Sequence, residues 1–488
     1  KQLSGITKMS AWIKKVNDVH LYVHCEPSVA RELSSYFTFE VPGAKFMPTV
    51  RNRMWDGKIR LFSIRNNQIY VGLLPYLEEF FEKNGVKYVK DDNLKHEANV
   101  TEKNVLGFIK SLNIPFEHRD YQLDCIMSAL AKQRGLFVSP TASGKSYIIY
   151  VLVRFYFIMK KKILIIVPTT SLVEQMASDF VSYGWSQKQI HKIYSGHDKE
   201  THKPVVISTW QSLYKMSKKF FKPYGVIFGD EAHLFKAKSL TMIMEKLEEC
   251  PYRFGFTGTL DGTQTNRLVL EGLFGKAETV TTTKKLMDEN TIAKLSINCL
   301  VLKHDEKISK QCKDFNYNEE IEYLVSNKKR NKFIYDLHKN LKGNTLCLYQ
   351  RVEKHGIPLL DLFKKLDKET YFVHGGVGTD EREQIRALAE KKDNIIILAS
   401  YGVFSTGINI RNLHNVVFAS PYKSRIKVLQ SIGRGLRKTE SKNKVKLFDI
   451  ADDISHNNKK NFTLLHFQER INIYNEEQFD YTIDRVNV

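Results

Sequence analysis

Two blocks of the sequence alternate short apolar runs with helical patterns, and this rhythm constrains the fold more than any other feature. In the first block, from about residue 105 to 300, the runs are "GLFVS", "ILIIVP", "VVIST", "GVIFGD" and "RFGFTG". In the second block, up to about residue 453, they are "TLCLYQ", "TYFVHG", "NIIILAS", "NVVFAS" and "KVKLFDI". Continuous apolar strands between helices are typical of parallel sheets covered on both faces. The sequence therefore predicts an α/β fold with two tandem parallel-sheet domains.

The flanking regions differ from these blocks. The start of the chain mixes a strand "HLYVHCE", a helix after Pro27, a hairpin turning at Asn66 and Asn67, and an amphipathic "PYLEEFFEKNG", which predicts a small α+β domain. A basic run, "SNKKRNK", is interpreted as the connector between the two larger domains. The predicted organisation is a small domain at 1–104, parallel-sheet domains at 105–325 and 326–453, and a C-terminal helical tail at 454–488.

Charge indicates the kind of partner. Lys and Arg number 75 against 54 Asp and Glu, which gives a net charge of +21 and favours a polyanion such as nucleic acid. A membrane is not expected, because Arg154 and the lysines at 160–162 interrupt the longest apolar stretch. The six scattered cysteines form no C-x-x-C pair, and no signal peptide is expected, so a reducing cytoplasm is the predicted compartment.

The stretch "SPTASGKS", residues 139–146, lies between a predicted strand and a predicted helix. A strand, a loop of small residues and a helix make an anion site, because the free N–H groups of the helix point at the loop. Ser139 and Ala142 stand where phosphate loops usually have glycine, which questions the positive-φ freedom of the loop. Taken alone, a turn with a surface lysine explains the stretch equally well.

A second element, "VIFGDEAH", supplies the carboxylates that nucleotide hydrolysis needs. An apolar strand ends at Asp230 and Glu231, at the sheet edge where ligands of α/β proteins bind. We expect Asp230 to hold Mg²⁺ and Glu231 to orient or deprotonate the attacking water. Together with Lys145, these residues predict ATP and Mg²⁺ as cofactors.

Ten motifs in a fixed order resemble those of superfamily 2 helicases, and the resemblance implies two RecA-like motor domains. In chain order they are "RDYQ" (119–122), "SPTASGKS", "VPTTSLVEQ" (167–175), "STWQSL" (208–213), "DEAH", "TGT" (257–259), "LYQRVEKHG" (348–356), "HGG" (374–376), "SYGVFSTGINI" (400–410) and "QSIGRGLR" (430–437).

The resemblance also assigns site residues. The implied nucleotide contacts, with Gln122 reading the adenine, are Arg119, Gln122, Thr141, Ser143, Gly144, Lys145, Ser146 and Gly407. The implied catalytic residues are Lys145, Asp230, Glu231, Gln430, Arg434 and Arg437, and the implied Mg²⁺ ligands are Ser146 and Asp230. The implied contacts to a nucleic-acid backbone are Thr169, Thr209, Gln211, Arg351, His374 and Gly375.

The arginines of the last motif make chemical sense by themselves. A guanidinium from the second domain stabilises the charge that develops on a γ-phosphoryl group, and it does so only when the domains close. Arg434 and Arg437 lie three residues apart, on one face if the segment is helical. A basic turn without a phosphate is the alternative.

The segment "RNRMWDGKIRLF" (51–62) and the tail "FDYTIDRVNV" extend a resemblance to the UvsW-type recombination helicases of tailed bacteriophages over nearly the whole chain. It implies an ATP-dependent helicase that remodels forks, Holliday junctions, D-loops and R-loops and anneals strands. Single-strand-binding or recombination proteins are the implied partners, and we expect a monomer. An RNA helicase shares these motifs, because they contact backbone and not bases.

Physically, the same segment combines four basic residues with one tryptophan. Phosphate contact plus base stacking would use the set Arg51, Arg53, Trp55, Lys58 and Arg60. Packing of Trp55 in the domain core, with the charges as a solvated face, is an equal alternative.

Overall fold

The computed structural model describes residues 10–94, 97–234, 237–260, 264–406, 410–421, 424, 432–433, 436 and 443–488. By contacts between Cα atoms the chain divides into two compact units. The first unit reaches Ser139 and resumes at Gly144–Val280, and the second comprises Pro140–Ser143 with Thr281–Val488.

The start of the first unit is a small mixed sheet with helices on one face. Its elements are β1 Ser10–Lys15, β2 His20–His24, α1 Pro27–Tyr36, β3 Thr38–Glu40, α2 Pro48–Arg51, β4 Lys58–Arg60, β5 Phe62–Ser63, β6 Gln68–Tyr70, α3 Leu74–Lys83 and β7 Lys87–Lys90. The sheet order is β5-β6-β2-β1-β7, and β3 pairs separately with β4. Helix α1 begins at a proline, as helices often do, and buries Val29 and Leu33 in a cluster shared with the sheet. The predicted α+β character is confirmed.

This small sheet is not a free-standing domain, because its core continues into the next part of the unit. Leu268, which follows in a later helix, is 5% exposed within the same cluster. A Cβ at Gly72 would lie 2.0 Å from the carbonyl oxygen of Glu271, so only glycine allows this approach. Tyr70 and Tyr76 donate hydroxyl hydrogen bonds of 2.7 and 2.8 Å to Glu245 and Glu271.

The rest of the first unit is a seven-stranded parallel sheet with the order β10-β11-β9-β12-β13-β8-β14. Its strands are β8 Arg134–Val138, β9 Lys162–Val167, β10 Ile190–Ile193, β11 Val205–Thr209, β12 Tyr224–Gly229, β13 Tyr252–Thr257 and β14 Ala277–Thr279. Its helices are α4 Glu102–Ser111, α5 Asp120–Lys132, α6 Lys145–Ile158, α7 Thr170–Ser182, α8 Trp210–Leu213, α9 Lys218–Phe221, α10 Ala237–Met244 and α11 Gln264–Leu273. Two apolar clusters occupy the two faces, as expected for a doubly covered sheet.

The second unit repeats the architecture with the strand order β17-β18-β16-β19-β20-β15-β21, again all parallel. Its strands are β15 Lys294–Lys303, β16 Thr345–Tyr349, β17 Thr370–Val373, β18 Ile396–Ser400, β19 Asn415–Phe418, β20 Lys444–Asp453 and β21 Tyr481–Asn487. Its helices are α12 Thr283–Asp288, α13 Glu306–Cys312, α14 Tyr317–Ser326, α15 Lys328–Asn340, α16 Ile357–Phe363, α17 Thr379–Lys391, α18 Tyr401–Thr406 and α19 Phe462–Glu476, with a π-helical turn at Val352–Gly356. Two tandem RecA-like domains are therefore present.

The structure differs from the sequence prediction at the ends of this unit. Strand β15 lies before the predicted boundary at residue 325 but pairs with β20 along its whole length. The tail beyond residue 453 contains the predicted helix and also β21, which adds a parallel edge strand beside β15. Helix α19 is held by a buried ion pair, 2.7 Å long, between Arg470 and Asp449.

The predicted basic connector is also part of the fold. Residues 328–332 form the start of α15, and Arg330 is fully buried. Its guanidinium donates to Asp452 at 2.9 Å and to the carbonyl of Ala419 at 2.7 Å. The six cysteines are free thiols. No helix among the described residues has the length and apolar character needed to cross a membrane.

Candidate functional site

The stretch 139–146 forms a tight loop between β8 and α6. Gly144 is the N-cap of the helix with φ +82°, and it makes no side-chain cap hydrogen bond. Ala142 adopts φ +68°, so the loop takes the left-handed conformation even with a side chain at this position. The backbone geometry therefore offers helix N–H groups and the positive end of the helix dipole to an anion.

Lys145, the first residue of α6, forms an ion pair with Glu231, which follows β12. Strands β12 and β9 are parallel and in register at Gly229 and Ile166, and the N–H of Asp230 donates to the Ile166 carbonyl at 2.9 Å. The two acidic residues therefore leave the sheet at its carboxyl edge, the edge to which the phosphate loop belongs. Glu231 has φ +52°, a strained conformation that turns the chain sharply after the strand.

Asp230 is buried, and burial raises the pKa of its carboxyl group to about 6, although the nearby Lys145 ammonium opposes this rise. Burial disfavours the ionised carboxylate, and a bound divalent cation would stabilise it. Ser146 supplies a hydroxyl oxygen on the neighbouring helix, and hard oxygen donors are what Mg²⁺ prefers. The donor set thus fits Mg²⁺ held jointly with phosphate oxygens. Within the described part of the chain no cluster of three or more His, Cys, Asp or Glu side chains could hold a metal by itself.

A chain of hydrogen bonds links three of the predicted motif segments. His233 Nδ1 lies 2.5 Å from Thr257 Oγ1 and 3.5 Å from Glu231 Oε2. The Thr257 hydroxyl donates to the Thr259 carbonyl at 2.7 Å, so Nδ1 of His233 must carry the proton that joins the two side chains. The Thr257 carbonyl in turn accepts the Ser139 N–H at 2.8 Å. The "DEAH", "TGT" and phosphate-loop segments are therefore mechanically connected.

Tyr183, at the end of α7, is a site residue that the sequence does not predict. Its hydroxyl lies 2.9 Å from Ser146 Oγ, and its ring packs against Phe116 and Tyr147. Because α7 begins beside the predicted nucleic-acid contact Thr169, this helix joins that region to the predicted Mg²⁺ ligand. No pattern near Tyr183 marks it in the sequence, since its partner lies in another helix.

Gln122 and Arg119 lie at the start of α5. The Gln122 carboxamide oxygen accepts the Arg119 N–H at 2.9 Å in a capping box, and a Cβ at Gly144 would lie 2.3 Å from its nitrogen. Gln122 is thus fixed beside the phosphate loop. Arg119 is exposed and donates to the Tyr121 hydroxyl at 2.7 Å.

The predicted nucleic-acid residues of the first unit follow neighbouring strands, β9 and β11. Thr169 caps α7 by accepting the Leu172 N–H at 3.3 Å. Gln211 is exposed and donates to the Pro168 carbonyl at 3.2 Å, which ties the two loops together. Thr209 is buried beside them, 3.0 Å from the Ser212 hydroxyl.

The second unit contains the remaining predicted residues. Arg351 is half-buried with its guanidinium 3.9 Å from Glu322, and Gly375 is exposed, with open space where a Cβ would stand. His374 accepts the Gly376 N–H at 3.1 Å. Four predicted residues lie outside the described ones: Gly407, Gln430, Arg434 and Arg437.

In the small sheet region, the predicted DNA-binding residues fall into two groups. Arg51 and Arg53 are exposed, and neither forms an ion pair with another described residue. Lys58 and Arg60 have partners, at 3.8 Å in Glu40 and at 2.5 Å in Asp56. Trp55 is half-buried and its Nε1 donates to the Lys58 carbonyl at 3.0 Å, which fixes the ring to its own loop.

Three family models match the chain: "DNA helicase UvsW, N-terminal" over residues 13–91, "Type III restriction enzyme, res subunit" over 115–262, and "Helicase conserved C-terminal domain" over 328–439. The ATP-dependent DNA helicase uvsW of Enterobacteria phage T4 is 37% identical over 493 residues, covering 96% of this chain and 98% of the relative. A putative ATP-dependent RNA helicase of Acanthamoeba polyphaga mimivirus is 28% identical over 331 residues, covering 65% and 60%. The crystal structure of T4 UvsW superposes with a TM-score of 0.54 at 35% identity, covering 98% of this chain and 100% of that structure.

Proposed function

The chain belongs to the UvsW family of superfamily 2 ATP-dependent DNA helicases, and from that premise we propose that it remodels branched DNA in recombination, repair and replication. The substrates would be forks, Holliday junctions, D-loops and R-loops, with strand annealing as a companion activity. One observation carries this proposal: the similarity includes the small sheet region as well as the motor, and that region packs into the first motor domain through a shared core. A motor alone would need no such fixed attachment to move along a single strand.

For the hydrolytic step, we assign the phosphates to the loop before α6. Lys145 is paired with Glu231, and a γ-phosphate at the loop would compete for its ammonium. Released from that pair, Glu231 can orient or deprotonate the attacking water. Ser146 and Asp230 would hold Mg²⁺, which, when bound, neutralises charge on the β- and γ-phosphates.

The roles of the second motor domain rest on the motif resemblance. Arg434 and Arg437 would stabilise the charge of the transferring phosphoryl group, with Gln430 and Gly407 nearby in the site. Two described residues within that motif, Ile432 and Leu436, are almost fully buried, and the Leu436 carbonyl accepts the Ala293 N–H at 2.8 Å.

For nucleic acid, we propose that both motor domains grip the backbone and that the small sheet region contacts the duplex arms. Thr169, Thr209 and Gln211 would act in the first unit, and Arg351, His374 and Gly375 in the second. RNA is the competing substrate, because a similar protein carries the name of an RNA helicase.

ATPase and unwinding assays over a panel of substrates test the proposal. The panel comprises forked, four-way, duplex, single-stranded and RNA-containing nucleic acids of equal length. We expect the highest turnover and ATP-driven fork regression with branched DNA. Stimulation by single-stranded RNA above every branched DNA would refute it in favour of an RNA-directed enzyme.

A further inference from the structure

The loop of residues 43–57 in the small sheet region exposes large apolar side chains. Phe46 is 72% exposed and Met54 is 80% exposed, and Met47 beside them is 39% exposed. Scattered exposed apolar residues are ordinary, but these three belong to one short loop. Exposing this apolar surface to water is unfavourable, and we expect a binding partner to cover it.

The loop holds these side chains in place. Strands β3 and β4 pair at its base, and Val41 N–H donates to the Gly57 carbonyl at 2.8 Å. The N–H groups of Met54 and Trp55 both donate to the Thr49 carbonyl, at 2.8 and 3.1 Å. Gly57 has φ +76°, and a Cβ there would lie 2.9 Å from that of Ala44, so the closure of the loop requires glycine. The apolar side chains are therefore presented by a preorganised scaffold.

Three exposed basic residues belong to the same loop. Lys45, whose ammonium lies 5.1 Å from the centre of the Phe46 ring, is exposed, as are Arg51 and Arg53. Proteins that kink DNA combine the same two features, an apolar wedge inserted between bases and basic residues on the phosphates beside it. A protein partner complementary to this loop would have to be acidic and apolar at once.

We propose that the 43–57 loop is a wedge that inserts Phe46 and Met54 into the base stack at the branch point of DNA. Insertion into continuous duplex requires the loss of a stacked step, whereas a branch point has already lost one. The wedge therefore favours branches over duplex without reading sequence. This inference rests on the proposed branched-DNA function and names the residues that recognise the branch.

Nucleotide-free binding to a fork with 2-aminopurine beside the branch tests the wedge. We expect the wild-type protein to raise 2-aminopurine fluorescence by unstacking the base. The double variant F46A/M54A should lose that rise and bind the fork about tenfold more weakly, with its binding to single strands unchanged. Ile158→Ala is the matched control, since Ile158 is 60% exposed but lies at the end of α6, and it should behave as wild type.

Phe46→Trp gives a second, positive measurement. A tryptophan inserted between bases should show fluorescence quenching on the fork that is absent on blunt duplex. Equal fork affinity and 2-aminopurine signal in wild type and F46A/M54A, or no fork-specific quenching in F46W, would overturn the wedge. Loss of binding to a protein partner with normal fork binding would also overturn it.

Failure of the proposed function gives a different result. Wild-type protein that cannot regress forks with ATP contradicts the branched-DNA function, whatever the variants do. Wild-type protein that regresses forks while F46A/M54A does so equally well contradicts the wedge alone.

Discussion

The phosphate-loop region and the 43–57 loop, both proposed to bind anions, arrange their charges in opposite ways. At the phosphate loop, Lys145 is paired with Glu231 and Asp230 is buried. On the 43–57 loop, Arg51 and Arg53 project into solvent from a surface that also exposes apolar groups. The first arrangement holds a few charges through an ion pair and burial, whereas the second leaves its charges exposed to solvent.

This difference follows from the chemistry that each region is proposed to perform. A developing charge on a phosphoryl group is stabilised only by groups fixed in advance, because reorganisation during the reaction would cancel the gain. A DNA backbone instead releases counterions to each basic side chain it meets, and approximate positions suffice. Substitutions should therefore affect turnover steeply in one region and salt-dependent affinity gradually in the other.

Replacing Lys145 with Ala should give the largest effect. We expect kcat for ATP hydrolysis to fall by about 10³-fold, because the ammonium acts on the transferring phosphoryl group. DNA affinity without nucleotide should change little. Lys222→Ala, at a lysine whose side chain is 70% exposed, is the control and should keep normal turnover. Near-normal turnover in K145A would remove the phosphate-loop assignment.

Replacing Glu231 with Gln should slow hydrolysis by about 10²-fold while ATP still binds, because the amide keeps the shape but cannot accept the proton of water. A complex with DNA should accumulate in its ATP-bound form. Single-turnover kinetics and equilibrium nucleotide binding separate the two effects. If E231Q failed to bind ATP, Glu231 would be a structural residue and its role as base would be wrong.

Replacing Arg51 and Arg53 with Gln should act on affinity alone. Each lost phosphate contact lowers the slope of log affinity against log salt by about 0.9, so the double variant should lose about 1.8. Arg60→Gln is the matched comparison, because Arg60 is already paired with Asp56 and should change the slope less. Fork binding titrated at several salt concentrations measures both. An unchanged slope in R51Q/R53Q would show that neither arginine contacts DNA.

Replacing Tyr183 with Phe should have a smaller effect on the catalytic side. It removes only the hydroxyl at 2.9 Å from Ser146, a hydrogen bond with a net contribution of about 1 kcal/mol. We expect the Mg²⁺ concentration for half-maximal ATPase to change about fivefold at constant melting temperature. Tyr147→Phe is the control, since the buried Tyr147 hydroxyl has no hydrogen-bond partner among the described residues. The same Mg²⁺ dependence in both variants would leave Tyr183 without a positioning role.

The sequence predicts the sheets because their central strands are continuous apolar runs. The sequence pattern does not predict β10, β14, β15 and β21. The two middle residues of β10 are polar, and β21 is largely exposed. The pairing of such strands is decided by neighbours far away in the chain. For the same reason the sequence predicts that Arg330 belongs to a connector, whereas in the fold it forms a buried ion pair with Asp452.

The site shows the same division. Lys145, Asp230 and Glu231 are predictable because each ends or begins a recognisable element, and parallel strands bring those ends to one edge. The capping role of Gln122, the hydroxyl contact of Tyr183 and the separation of Arg51 and Arg53 from the paired Lys58 and Arg60 depend on side-chain geometry. No local sequence pattern predicts these side-chain contacts.

The smallest predicted effect is that of Ala142→Gly, and it tests how much strain the phosphate loop carries. Alanine at φ +68° costs roughly 1 to 2 kcal/mol relative to a right-handed conformation, and glycine does not bear this cost. Glycine also gives the unfolded chain more conformational freedom, which lowers the free energy of unfolding by roughly 0.5 to 1 kcal/mol. The net gain in stability should therefore be about 1 kcal/mol or less. We expect a slightly higher melting temperature and an unchanged or modestly lower KM for ATP, measured beside Ala142→Val, whose branched side chain should raise KM. A higher KM in A142G would mean that the alanine methyl holds the loop in its binding shape, and that this precisely placed region depends on packing as well as on backbone freedom.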